Sequence, residues 1–153
     1  MRPYFRTFRL LSSAVLAVLL GGATSLPAPV NKAMLDIDVT GARSAKGVVR
    51  LALCPPRTGF PDCKAAALRT ASAPVERGQA RFQLTDLPAG SFAVSVFHDE
   101  NDNGRMDSFV GIPREGYGIS RNPPFRARAP RFDEAEIVLA GHGQITIALR
   151  YLM

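Results

Sequence analysis

The chain has 153 residues, 46% of them hydrophobic, and carries 19 Lys and Arg against 13 Asp and Glu. Its formal charge is +6, but Arg2, Arg6 and Arg9 supply three of those charges, so the rest of the chain has 16 basic residues (19 less 3) against 13 acidic ones. A bias of +3 is too weak to predict nucleic-acid binding, and the length suits one domain with one core.

Behind the three arginines, an acid-free apolar run from Leu10 to Leu20 leads to Gly21, Gly22 and Ala23. This is the charged, apolar and small-residue order of a secretory signal peptide, with cleavage expected after Ala23. Eleven residues fall well short of the roughly 20 that a spanning helix needs. The segment is therefore read as a cleaved signal, with no transmembrane segment left afterwards and the product periplasmic or extracellular. Residues 24–33 read as a linker, "TSLPAPVNK" at their heart, and 34–153 as one β-domain.

In "AMLDIDVTG", Leu35, Ile37 and Val39 alternate with Asp36, Asp38 and Thr40, the period of a half-buried strand. A second strand, "GVVRLALC", runs into the loop "CPPRTGFPDC". Two cysteines this close, in a loop of an exported chain, predict a disulfide between Cys54 and Cys63. Their spacing fits neither a CxxC redox pair nor a zinc site with His98 and His142. From Lys64 to Val75 the alanine content predicts a helical turn, but Pro74 and the lack of an apolar stripe argue against a full helix.

"ARFQLTDLPAGSFAVSVFH" predicts two strands around a Pro-Ala-Gly turn. In the second of them Phe92, Val94 and Val96 share a face, while Ala93, Ser95 and Phe97 opposite are scarcely polar, so this strand is expected to be central and covered on both sides. "AEIVL" and "QITIALRYL" predict the last strands, separated by Gly141-His142-Gly143. The whole reads as all-β, an antiparallel sandwich of about six to eight strands with one long structured loop; a small closed barrel is the alternative.

That loop, residues 99–131, is too long for an ordinary hairpin connection, and long ordered loops usually do something. With Asp99 as position one, "DENDNGRMD" sets side-chain oxygens of Asp99, Asn101, Asn103 and Asp107 at positions one, three, five and nine. Gly104 stands at position six and the carbonyl of Arg105 at position seven. Such spacing is the front of a calcium loop of the EF-hand type, whose closing bidentate glutamate at position twelve is here Val110. Calcium would then be held weakly, at roughly 10⁻⁴ to 10⁻³ M, with Glu115 the nearest carboxylate beyond the loop to complete the shell, or Glu100 or Asp102 in its place if the loop folds differently. A bare hairpin turn at Asn103-Gly104 is the competing reading, and the residues leave both open.

"GIPREGYGIS" follows, read as a loop folded onto the end of the sandwich with Ile112 and Tyr117 filling the gap, or as the lip of a ligand pocket. A small-ligand carrier would place His98, Glu115 and Tyr117 at the pocket mouth. His98 closes the Phe92-Val94-Val96 face and is expected at the rim of the core, hydrogen-bonded. Arg114, Arg121, Arg126, Arg128 and Arg131 are expected to offset the acidic loop or to face anionic lipid or glycan. No catalytic residues are assigned: "YGISRN" around Ser120 is not GxSxG, which leaves a hydrolase only as an unrecognised type.

The run "LPAGSFAVSVFHDENDNGRMDSFVGIPREGYGIS", with Pro124-Phe125 and Arg131-Phe132-Asp133 beyond it, resembles domain-of-unknown-function family 2141, a family of exported bacterial proteins with a similar HDENxNGxxD and GIPxEGYGxS pattern. "LPAGSFAVSVFHDEN" also looks like the hairpin of transthyretin-like and carboxypeptidase regulatory-like domains, which implies an Ig-like or prealbumin-like sandwich. The resemblance implies no activity. The expectation is a non-enzymatic, exported module binding an envelope or extracellular component, with calcium as its one cofactor; the sequence does not address its oligomeric state.

Overall fold

The structure, a computed structural model, describes residues 32–153. The signal peptide expected over 1–23 and nearly all of the linker lie outside the described residues. Ten strands follow: β1 (Ala33–Thr40), β2 (Val48–Cys54), β3 (Arg69–Pro74), β4 (Gln79–Leu87), β5 (Gly90–Asp99), β6 (Ser108–Phe109), β7 (Ile112–Pro113), β8 (Tyr117–Ile119), β9 (Ile137–Leu139) and β10 (His142–Ala148). The only helical turns among the described residues are a 3₁₀ turn at Lys64–Ala66 and α1 (Phe132–Ala135). None is long and apolar enough to cross a membrane.

Eight of the strands form a β-sandwich, and β6 and β7 pair apart from it. One sheet has the order β10-β1-β4; the other runs β3-β2-β5-β8, with β9 also paired to β5. Alternation explains the core, since Leu35, Ile37 and Val39 of β1 and Phe82 and Leu84 of β4 face Val49, Leu51 and Leu53 of β2 and Phe92, Val94 and Val96 of β5. A register shift lets Leu87 pair with Ala33 although Leu84 pairs with Leu35, so both leucines stay buried across the bulge. One pairing departs from the antiparallel expectation: β1 and β10 run parallel.

β5 is central, as its two apolar faces required. Its outer face carries a second cluster, in which Ala93 meets Ile119, Ala135, Phe60 and Phe132, the two phenylalanine rings edge to face at 6.2 Å. The alanine-rich tract supplies the expected helical turn and then an edge strand, β3, which the sequence does not reveal.

Cys54 and Cys63 are joined in a disulfide, both buried, with Cα atoms 5.8 Å apart. Replacing both by Ser should cost about 2.5 kcal/mol in reversible urea unfolding, the loop-closure entropy of a segment this short. Native-like stability of the double variant would show that the bond is dispensable.

Candidate functional site: the loop end of the sandwich

The inward face of β5 continues past Val96 to His98, which is fully buried. Its Nε2 lies 2.8 Å from the Lys46 carbonyl, which can only accept, so Nε2 carries a proton. In the neutral ring Nδ1 then accepts from the Tyr151 hydroxyl at 2.7 Å, and that oxygen in turn accepts the Arg43 N–H at 3.1 Å. The Arg43 guanidinium sits 4.5 Å over the Tyr151 ring, and burial pushes the Tyr151 phenol up, keeping it a donor.

Asp99, the next residue, is also fully buried, yet its carboxylate is the hub of the loop. Oδ1 accepts the Asn103 N–H at 3.0 Å, while Oδ2 accepts the Gly104 N–H at 2.8 Å and the Arg50 Nε–H at 2.5 Å. Burial pushes this carboxyl up, but Arg50 and the two backbone donors outweigh it and hold Asp99 below the usual carboxylate range. Arg50 reaches on to Asp102 at 2.5 Å. Glu100 is held below its ordinary range first by Arg43, at 2.6 Å, against the opposing effect of burial.

Further along, Asn101 Oδ1 accepts the Asn103 N–H at 3.2 Å and Asn103 Oδ1 the Arg105 N–H at 2.8 Å. The amide nitrogens of the same two asparagines donate to the two oxygens of Asp107, at 2.8 and 3.1 Å. Buried Glu115 closes the loop from the other side, Oε1 on the Glu100 N–H at 3.0 Å and Oε2 on the Asp107 N–H at 2.9 Å. No buried side-chain nitrogen or oxygen among the described residues lacks a hydrogen-bond partner.

The structure thus gathers Asp99, Asn101, Asn103 and Asp107 into one knot, with Arg105 exposed beside it and Glu115 behind it. Among the described residues no three His, Cys, Asp or Glu side chains are grouped so as to hold a metal; the donor set is two carboxylates and two amides. Val110, at position twelve, lies outside the knot, on the two-residue turn between β6 and β7. Asn103-Gly104 does not turn a hairpin, because Asp99 takes both of its N–H groups.

The three residues expected at a ligand mouth are distributed differently. His98 and Glu115 are buried with their polar atoms engaged, and half-buried Tyr117 pairs its backbone with Arg150. The groove beside Tyr117, lined also by Asn122, Phe125 and Arg150, has a volume of about 30 Å³, far below the ~300 Å³ at which small-molecule sites begin. A larger, open depression of about 430 Å³ lies among Arg43, Glu100, Asn101, Asp107 and Arg114 and is polar.

Two expectations about this end need correction. Ile112 is exposed rather than filling a gap; Tyr151 fills it, packed so closely that a Cβ on Gly116 would lie 2.4 Å from its ring. Three of the five later arginines do not offset the acidic loop: Arg126 and Arg128 pair with Glu134, pulling its pKa down to about 2 through Arg128 first, and Arg131 pairs with Asp133, whereas Arg114 borders the depression with Glu100 and Asp107. Arg43 and Arg50 neutralise the loop instead. The sequence signal for Arg50 was a lone cation in the apolar strand "VVRLALC".

A family model described as an uncharacterized protein conserved in bacteria (DUF2141) matches residues 37–147. No curated protein and no solved structure matches the chain.

Proposed function

We propose that the chain, which belongs to this DUF2141 family of bacterial proteins, is an exported β-sandwich module that binds an envelope or extracellular component and takes up calcium weakly at its acidic loop. The observation that supports the calcium reading is the direction of the loop's hydrogen bonds. Side-chain oxygens at positions one, three and five each accept an N–H from further along the loop, which wraps the backbone around a set of oxygen donors. To take the ion, the Asn101 and Asn103 amides must turn oxygen toward it and give up their bonds to Asp107. That cost and the missing position-twelve carboxylate keep the affinity low.

Export is supported by the disulfide, a bond kept in oxidising compartments, together with the N-terminal pattern. A non-enzymatic role is supported by the way His98, Asp99, Glu115 and Ser120 spend their hydrogen bonds on the chain itself.

Thermal unfolding of the exported, oxidised protein in chelator and in about 10 mM calcium tests the reading. Across the expected affinity range, saturation adds about 1.4 to 2.7 kcal/mol of stability. Asp107→Ala should abolish the shift, and it is the cleaner probe because, among the described residues, its carboxylate is hydrogen-bonded only to the two amides. A shift equal in magnesium, or retained by the variant, would overturn calcium binding at this loop.

A further inference from the structure

β6 and β7 form a short hairpin projecting from the loop, with Phe109 opposite Ile112 and Val110-Gly111 as its two-residue turn. Phe109 is 62% and Val110 83% exposed, and Met106 and Ile112 beside them are also exposed. Three large apolar side chains at one tip, with Met106 just before the base of the hairpin, form a patch, whereas single exposed ones would need no explanation.

The turn conformation makes the patch more telling. Val110 has φ +50° and Gly111 φ +76°, positive at both central positions as a type I′ turn demands. Asparagine or glycine suits the first of these; a β-branched residue there is strained. No packing requires valine, since the side chain faces solvent. Backbone strain kept at an exposed apolar tip points to a surface that the tip enters.

We infer that this hairpin is a membrane-docking finger, Phe109, Val110 and Ile112 entering the interface of a bilayer rich in anionic lipid. Arg105 and Arg114 lie at the base of the hairpin, both exposed and neither in an ion pair among the described residues, where they meet lipid phosphates. The loop's acidic groups offer less opposition than their number suggests. Glu100 is paired to Arg43, and Asp99 and Asp102 to Arg50; Asp107 and buried Glu115, held by neutral N–H donors, keep their charge and are matched in number by Arg105 and Arg114.

Size argues for lipid over a second copy of the chain. The four side chains expose on the order of 400 Å², about half of what each partner of a stable protein interface contributes. A bilayer needs no matching partner surface, only an apolar tip with a cationic collar. The finger also has a rigid base: the Arg114 N–H donates to the Asp107 carbonyl at 2.9 Å, and Glu115 clamps the Asp107 N–H.

The test is flotation of the exported, oxidised protein with vesicles of phosphatidylglycerol and phosphatidylethanolamine, against vesicles of phosphatidylcholine alone. It is run in chelator, because the inference stands apart from the calcium reading. The native protein should partition onto the anionic vesicles. Val110→Asn, which gives the turn its preferred residue, should melt no lower than the native protein yet bind about tenfold more weakly. Phe109→Ser should lose binding similarly, and each of Arg105→Gln and Arg114→Gln should lower it about fivefold on anionic vesicles only. Absence of native partitioning, or partitioning unchanged in both Val110→Asn and Phe109→Ser, would overturn the proposal. So would a dimer that Val110→Asn dissolves in the absence of vesicles, which would make a second copy the occupant.

Discussion

Replacing Arg50 by Met should destabilise the protein by about 3 kcal/mol at pH 7, because it strands a buried carboxylate. Asp99 has no exposed surface, and Arg50, itself 29% exposed, is its only charged partner among the described residues. Breaking such a pair typically costs 3–5 kcal/mol, and the partial exposure of the guanidinium puts this one at the lower end. The pH dependence identifies the cause. In the native protein the Asp99 carboxyl is held below its ordinary value, so its contribution is complete above the unfolded value of about 3.9 and is lost as pH falls through the native one. In Arg50→Met burial acts unopposed by the cation and the carboxyl protonates more readily. Urea unfolding from pH 7 to pH 3 should therefore show the gap between the two proteins closing at the acid end. A gap independent of pH would assign the loss to packing of the arginine stem instead.

Gly47→Ala should be at least as damaging, about 4 kcal/mol, for a reason that can be separated from backbone preference. A Cβ at this position, where φ is +64°, would stand 1.8 Å from the carbonyl oxygen of Asp99 and 2.8 Å from the backbone of Glu100. The turn between β1 and β2 lies directly against the root of the acidic loop, and neither main chain can yield without opening the knot. Gly104 supplies the control: its φ of +78° is equally left-handed, but nothing lies within 4 Å of its Cβ position. Gly104→Ala should cost only about 1 kcal/mol, the conformational part alone. Equal losses in the two variants would mean that the close approach at Gly47 carries no weight.

The parts of this fold that could be read from the sequence are those where one strand carries its own alternation. β1, β2 and β4 bury every second side chain, β5 adds a partly covered second face, and β10 turns Ile145 and Ile147 inward, so period two is visible without a partner. β3 was hidden because "RTASAP" has no large apolar residue; it is a strand only because β2 offers an edge. β6 and β7 were hidden because their turn uses Val-Gly, while the better turn signal, Asn103-Gly104, is spent within the knot. The acidic loop itself was legible as a spacing. Its counter-charges were not, because Arg50 and Arg43 lie 49 and 57 positions from their carboxylates, and no local pattern connects them. Tyr151, 53 positions from His98, escaped for the same reason.

The parallel pairing of β1 with β10 also governs when the fold can form. His142 and Asp36, bonded at the start of that ladder, are 106 positions apart, so nearly the whole described chain must be available before the three-stranded sheet can close. Until β10 arrives, one side of β1 is an unpaired edge and its apolar face lacks Ile147. Such high contact order makes closure late and slow. A nascent chain built this way stays unlocked while it is being synthesised and closes only when its final strand docks. The same delay exposes it to edge-to-edge aggregation, so a product truncated before β10 should be cleared by proteolysis rather than accumulate folded.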